Sequence, residues 1–357
     1  MTILLFLAGL ALLILGAELL VRGASRLSLS LGIAPLVVGL TVVSFGTSAP
    51  ELAISVKAAL DGQTDLALGN VVGSNIFNIL FILGLSALVA PLVVDRQLVR
   101  QEVPILVGLC LLVGWMALDR EISFIDGAVL VALLVAYTGL LYRIGKTAPA
   151  SELEDAMVTG TDSPWQSKLW VQLLLMVSGL AMLVFGSRWM VEAATVFATM
   201  LGVSPLVIGL TIVSAGTGLP EVATSVIAAA RGERDIAVGN VMGSCIFNLV
   251  CVLGVSALVA PGGLDVPAAL LSFDLPVMFA VSLACLPVLF TGHLIARWEG
   301  ALFLAYYVFY ATYLVLWAQD HASLDEYTWV MRTVVIPLTA ITLAVVAWRE
   351  LYQRRRA

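Results

Sequence analysis

The chain has 357 residues, of which 61% are hydrophobic and only 12% charged, whereas a soluble globular chain runs near a quarter charged. That composition excludes water as the solvent of the fold and leaves no room for a soluble catalytic domain. The formal net charge of −6 falls on a chain largely buried in lipid, so no partner is drawn from it and no nucleic acid is expected.

Apolar runs of roughly 20 residues, enough helix to cross a ~30 Å hydrocarbon core, recur along the whole sequence. Eleven spans are predicted, at 2–21, 31–60, 66–90, 102–118, 123–142, 169–191, 200–230, 236–260, 270–291, 299–318 and 328–348. The first has no basic segment ahead of it and has a counterpart in the second half, so it reads as a retained helix and not as a cleaved signal peptide. The longest polar stretch, 144–168, carries Pro149, Glu152, Glu154, Asp155, Asp162 and Pro164 and reads as a cytoplasmic linker. It separates a first half, 1–143, from a second, 169–318, each with five spans, while 328–357 holds the eleventh span and a basic tail.

Cys110, Cys245, Cys251 and Cys285 all fall inside apolar spans and read as buried thiols, with no disulfide or metal-binding spacing. Trp298, Trp317, Trp329 and Trp348 lie near span ends and read as interfacial belts. With the amino terminus outside, 14 of the 18 lysines and arginines fall on the cytoplasmic side, and only Lys57, Arg120, Arg188 and Arg332 fall outside.

The two halves repeat one another at an offset of 170 residues. Gly39-Leu-Thr-Val-Val-Ser-Phe-Gly-Thr-Ser-Ala-Pro-Glu51 matches Gly209-Leu-Thr-Ile-Val-Ser-Ala-Gly-Thr-Gly-Leu-Pro-Glu221. Asp65 to Asn78 matches Asp235 to Asn248, and Ser86-Ala-Leu-Val-Ala-Pro91 recurs unchanged at Ser256 to Pro261. Five spans per repeat is an odd number, so the second copy enters the membrane from the opposite side, as in many secondary transporters whose site lies between inverted repeats.

Spans two and seven are each interrupted by Gly-Thr-x-x-Pro-Glu, at Gly46–Glu51 and Gly216–Glu221. Proline removes a backbone donor and clashes with the preceding turn, so the helix is expected to bend there and free carbonyl oxygens. Glu51 and Glu221 follow directly, far from either span end, and an ionisable residue at that depth is a functional candidate by default. Spans three and eight add Asn70, Ser74, Asn75 and Asn78, and Asn240, Ser244 and Asn248. With Thr47, Ser48 and Thr217 the inventory is all oxygen, the choice of hard cations such as Ca²⁺ and Na⁺. The patterns Gly69-x-x-x-Gly73 and Gly239-x-x-x-Gly243 permit close helix contact.

These motifs resemble the two α-repeats of the cation/calcium antiporter superfamily, in particular its prokaryotic sodium/calcium exchanger branch. The resemblance implies an all-α integral membrane fold of two inverted five-helix repeats, here with one extra C-terminal helix. It implies exchange of cytoplasmic Ca²⁺ for external Na⁺ by alternating access, the first and sixth helices sliding past the rest, with no enzymatic step and no prosthetic group. Carried over by motif position, Thr47, Glu51, Thr217 and Glu221 form the calcium site. Ser48, Ser74, Asn78 and Ser244, with the carbonyls of Ser44 and Ser214, complete flanking sodium sites.

Three positions depart from the pattern. Gly218 stands where the first repeat has Ser48, Cys245 where it has Asn75, and Asn248 where some family members carry an aspartate. Two glutamates balance one Ca²⁺ or two Na⁺, so the expectation is fewer sodium ions than the family's usual three, or protons in their place. The alternative readings are an exchanger of Ca²⁺ or another divalent for H⁺, a K⁺-dependent exchanger of the same superfamily and, more remotely, a cation channel. An intramembrane hydrolase would need a nucleophile with a base or metal-binding histidines, and the two histidines, His293 and His321, fall in or beside loops. Glu18 with Arg22 and Arg188 with Glu192 are spaced to bridge along their own helices. The expected partners are Ca²⁺, Na⁺ and the lipid of the inner cell membrane; the oligomeric state is left open, with a monomer compatible with the sequence.

Overall fold

The computed structural model describes residues 2–95, 97–145, 168–200, 214–290 and 293–338. Most of the expected linker, the first part of the seventh span and the basic tail with Trp348 lie outside the described residues.

The described residues are helical nearly throughout. Helix α1 is Thr2–Leu31, α2 is Pro35–Thr47, α3 is Ala49–Leu60, and α4 is Thr64–Val89. Strand β1 (Leu92–Val93), α5 (Leu98–Asp119), β2 (Glu121–Ile122) and α6 (Phe124–Gly145) complete the first half. The second half runs α7 (Leu169–Met200), α8 (Ser214–Thr217), α9 (Leu219–Ala230), α10 (Arg234–Val259) and β3 (Leu264–Asp265). It continues with a π-helical turn, Leu270–Asp274, leading into α11 (Leu275–Phe290), then β4 (Leu294–Ile295), α12 (Arg297–Ala318) and α13 (Leu324–Val330).

Seven of these helices are long and apolar enough to cross a membrane, and α2 with α3, bent by 47°, make an eighth span among the described residues. Helix α1 does not stop near residue 21 as the apolar run suggests. It continues through Arg22 and Arg26 to Leu31, 30 residues in all, and Gly32 then turns the chain at φ +62°. At 1.5 Å per residue such a helix exceeds the hydrocarbon thickness, so its polar end stands beyond it. Helix α7 likewise runs 32 residues, to Met200.

Helices α4 and α10 form the centre. The most apolar window of α10 is 89% buried and that of α4 72%, against 28% for α1 and α7 and 6% for α12. The outer helices instead show the environment side chains such as Ile3, Leu4, Trp115, Ile125 and Val177, the surface that lipid covers at no hydrophobic cost.

Small residues set how closely the helices approach, since lipid gives apolar side chains no drive to associate and close van der Waals packing must do so. Helices α1 and α7 cross antiparallel with glycine facing glycine. A Cβ at Gly9 would lie 2.8 Å from the Gly186 carbonyl oxygen, and one at Gly16 the same distance from that of Gly179. Helix α10 seats on α2 through Gly239 and Gly243, whose added Cβ atoms would meet the Leu36 and Leu40 carbonyls at 2.9 and 2.7 Å. Gly69 and Gly73, the matching pair on α4, meet no described atom within 4 Å.

Two short antiparallel strand pairs join the halves. Leu92 and Val93 pair with Ile295 and Leu294, and Glu121 and Ile122 pair with Asp265 and Leu264. Each pair takes one strand from each half.

Candidate cation site

The two Gly-Thr-x-x-Pro-Glu segments fold as the proline rule dictates. Pro50 and Pro220 sit in the first turn of α3 and α9, where a missing N–H costs nothing, and the helix before each stops one turn early. The breaks fall at Ser48 and Gly218. Proline 220 cannot bond the carbonyl four residues back, at Gly216, and the Ser187 hydroxyl on α7 donates to it at 2.6 Å instead. The expectation of a freed carbonyl thus holds for the backbone geometry, but at Gly216 a side chain already occupies it. The Ser44 carbonyl is also engaged, by the Ser48 N–H at 2.9 Å and the Thr47 hydroxyl at 3.3 Å.

The breaks place both glutamates inside the protein, Glu51 at 2% and Glu221 at 1% exposure. The Ser48 hydroxyl donates to Glu221 Oε1 across the interface at 3.2 Å. The Thr217 hydroxyl lies within reach of Glu51 and that of Thr47 within reach of Glu221, so each carboxylate is addressed by the other half's motif. Among the described residues neither carboxylate pairs with a basic side chain. Arg22 is held by Glu18, and Arg188 and Glu192 make no ion pair with each other.

Asparagines brace this arrangement. Asn70 donates to the Glu51 carbonyl at 3.2 Å and to Ser55 at 2.8 Å, which fixes the backbone at the break. Asn240 accepts from Thr47 at 3.1 Å and donates to Ser225 at 2.9 Å. With their groups spent on protein partners, these two are positioning residues. Asn75 and Asn248 meet at the crossing of α4 and α10. Asn248 donates to Asn75 Oδ1 at 3.1 Å, and Asn75 donates to the Cys245 carbonyl at 3.2 Å. Asn78 and Asn248 each open a π-helical turn, Asn78–Leu83 and Asn248–Leu253, the kind of local widening that recurs at functional sites.

Among the described residues, four buried oxygens of these motifs have no hydrogen-bond partner: Glu51 Oε2, Glu221 Oε2, Ser244 Oγ and Asn248 Oδ1. Buried polar atoms are nearly always satisfied, so four orphans in matching motifs call for a ligand that offers positive charge and takes only oxygen. No cluster of three or more His, Cys, Asp or Glu side chains forms among the described residues, so the donor set is two carboxylates completed by hydroxyls and amides. Ser74 is half-buried, Asn78 is buried, Thr217 is half-buried, and the side chain of Ser214 lies outside the described residues.

Sequence reading missed two further intramembrane acids. Glu102, 1% exposed, accepts from Tyr137 at 2.7 Å and from Gln97 at 3.3 Å. Asp274 accepts from Tyr310 at 2.8 Å. Each closes a π-helical turn two residues before a proline, Pro104 or Pro276. The shared Glu-Val-Pro and Asp-Leu-Pro triplets were the signal available. Both acids accept a hydrogen bond from tyrosine and are given none by the residues that carry the orphaned oxygens.

A family model described as sodium/calcium exchanger protein matches residues 1–143 and 171–316. The chain is 40% identical over 310 residues to the putative antiporter CaxA of Alkalimonas amylolytica, covering 85% of this chain and 95% of that one. It is 40% identical over 288 residues to the inner membrane protein YrbG of Escherichia coli, covering 78% and 86%. With the sodium/calcium exchanger MaX1 of Methanosarcina acetivorans it shares 33% identity over 337 residues, covering 85% and 96%. A solved structure of the sodium-calcium exchanger NCX_Mj, soaked with Na⁺ and Ca²⁺, superposes with a TM-score of 0.73 at 30% identity, covering 86% of this chain and 96% of that one.

Proposed function

The chain belongs to the sodium/calcium exchanger protein family of multi-pass membrane transporters, and on that premise we propose that it exchanges Ca²⁺ for Na⁺ by alternating access around Glu51 and Glu221. The observation that carries this reading is the pair of buried, unsalted carboxylates on facing helix breaks, with Oε2 of each left open. Two carboxylates neutralise one Ca²⁺, and hydroxyl and amide oxygens complete a hard-cation shell. Binding then removes the cost of two like charges held in low dielectric, which is why the site wants a cation in every state.

Thr47, Glu51, Thr217 and Glu221 are the calcium ligands in this reading. Ser48, Ser74, Asn78, Ser244 and Asn248 serve the coupling ions. Ser44 and Ser214 contribute through backbone carbonyls, although the Ser44 carbonyl must first shed one of its present donors.

Inverted repeats and eleven spans are consistent with the strand pairs. From β1 to β4 the predicted chain crosses the membrane six times and from β2 to β3 four times, both even, as paired strands on one face require. The lysine and arginine distribution supports an outside amino terminus. Helix α7 meets the breaks through Leu180 against Gly46 and Ser187 with Val191 against Gly216, and α1 packs along α9. Their motion as a glycine-joined pair would open the site to each side in turn.

The test is ⁴⁵Ca²⁺ uptake into proteoliposomes with Na⁺, K⁺ and H⁺ gradients imposed in turn, for wild type, Glu51→Gln and Glu221→Gln. Sodium-driven uptake in wild type alone is the expected result. Uptake driven only by protons, or retained in both variants, refutes the assignment.

A further inference from the structure

Asn75 and Asn248 stand on the two central helices, α4 and α10, one in each half, and both are buried, at 0% and 1% exposure. At that depth protein partners decide which way each carboxamide faces. The Asn75 Nδ2 lies 3.2 Å from the Cys245 carbonyl oxygen and 3.7 Å from Sδ of Met278 on α11. A carbonyl and a thioether can only accept, so the NH₂ group of Asn75 must face them and its oxygen must face the other way.

That oxygen meets Asn248. It too can only accept, and Asn248 gives it an N–H at 3.1 Å. With its NH₂ group drawn to Asn75, Asn248 is left holding Oδ1 on the opposite edge of its carboxamide, and this is one of the four buried oxygens without a partner among the described residues. The direction of a backbone carbonyl on α10 thus passes through a side chain of α4 and returns to α10 as the direction of a second oxygen. The backbone N–H of Asn248 also bonds the Cys245 carbonyl, so the relay begins and ends at the entry to one π-helical turn, Asn248–Leu253.

The repeat supplies a comparison. Cys245 is the counterpart of Asn75, and Asn78 is the counterpart of Asn248. A thiol has no carboxamide to relay, and Cys245 gives its S–H to the Asn75 carbonyl, with Sγ 3.9 Å from the oxygen. The same relay cannot be built for Asn78. At 248 itself a carboxylate would set oxygen against oxygen across the gap to Asn75, whereas an amide supplies the donor without a proton to lose.

We propose that Asn75 is a positioning residue of the cation site, which binds no ion itself and turns the carboxamide oxygen of Asn248 toward the exchanged cations. The inference rests on the sodium/calcium reading above. Without Asn75 the carboxamide at 248 can rotate, and one of its two orientations aims an N–H donor at a cation.

The test is equilibrium binding of ⁴⁵Ca²⁺ to the full-length protein in detergent, and its displacement by Na⁺ at matched Ca²⁺ saturation, for wild type, Asn75→Ala, Asn248→Ala and the double variant. Asn75→Ala should raise the Na⁺ concentration that displaces half of the bound Ca²⁺ by roughly three- to tenfold. The number of Ca²⁺ sites per protein should stay the same, since a merely structural lesion lowers the number of intact sites and not their affinity. The double variant should be no weaker than Asn248→Ala, because Asn75 acts only through that side chain; two independent ligands would multiply their losses to roughly 10–100-fold. Multiplied losses, or wild-type displacement in Asn75→Ala or in Asn248→Ala, overturn the proposal and leave the exchanger reading intact. Bound Ca²⁺ that is indifferent to Na⁺ in wild type overturns both. Asn75→Leu, of similar shape and without a hydrogen-bonding group, should show the same loss and carries the test if Asn75→Ala does not fold.

Discussion

Glu18 of α1 forms an ion pair with Arg231 at the C-terminal end of α9, besides the one it makes with Arg22 four residues on in its own helix. Ser25, also on α1, adds a hydrogen bond of 2.8 Å to Glu233. The reading from sequence, a bridge confined to one helix, was therefore incomplete: α1 is tied to the loop joining α9 to α10. The positions related to Arg231 and Glu18 by the repeat are Asp61 and Arg188, and there Asp61 pairs with Lys57 on its own helix at 4.0 Å. Among the described residues no ion pair joins Asp61 to Arg188.

Because Arg231 is half-exposed, the tie is worth about 0.5–1 kcal/mol after solvent screening. Glu18→Gln or Arg231→Gln should change the maximal transport rate roughly two- to five-fold without changing the calcium concentration for half-maximal uptake. Equal shifts in both parameters would place these residues at the site and refute their role in coupling α1 to the core.

Ser187→Ala should cost about 1–3 kcal/mol by orphaning the buried Gly216 carbonyl. Thr at 187 keeps the hydroxyl and should retain most of the stability. Thermal unfolding in detergent, read beside calcium flux, checks both, and an unperturbed Ala variant would mean that water takes over the carbonyl.

Gly179→Ala places a methyl carbon 2.7 Å from the Gly16 carbonyl and the Leu20 amide. Backbone cannot step aside, so about 1–3 kcal/mol is lost. Gly108→Ala on α5 meets no described atom within 4 Å and should be neutral or gain about 0.5–1 kcal/mol. Similar melting temperatures for the two variants would contradict the close crossing of α1 and α7.

Tyr137→Phe leaves the fully buried Glu102 with Gln97 alone and should cost about 1.5–3 kcal/mol. Tyr310→Phe should cost less, because Asp274 is only half-buried and water can reach it. Neither variant should alter cation affinity, since the hydrogen bonds of these acids go to Tyr137, Gln97 and Tyr310 and not to the candidate site. A fall in calcium affinity for either would make the tyrosine–carboxylate pair part of the transport path.

The glutamates and the breaks were legible in the sequence because an acid in the middle of an apolar run and a proline inside a helix each break a rule. Ser187 broke none, since a serine in a membrane helix looks the same whether it bonds its own turn or a neighbour's carbonyl. Glu102 and Asp274 were hidden by position: each falls in the first turns of its span, where an acid passes for an interfacial residue. The approach of the Phe77 ring to Gly218 joins residues of opposite halves, and no local pattern carries it.

The two strand pairs bear on how the protein is made. Leu92 leaves the ribosome about 200 residues before its partner Ile295, which at ~5–20 residues per second is a wait of roughly 10–40 s. Until then the first half stands in the membrane with its strand edges unpaired, and only synthesis of the second half can close them. Each half thus finishes the other, at both strand pairs. Two polypeptides divided within 146–167 and produced together should assemble, whereas either produced alone should be cleared by the cell's membrane proteases.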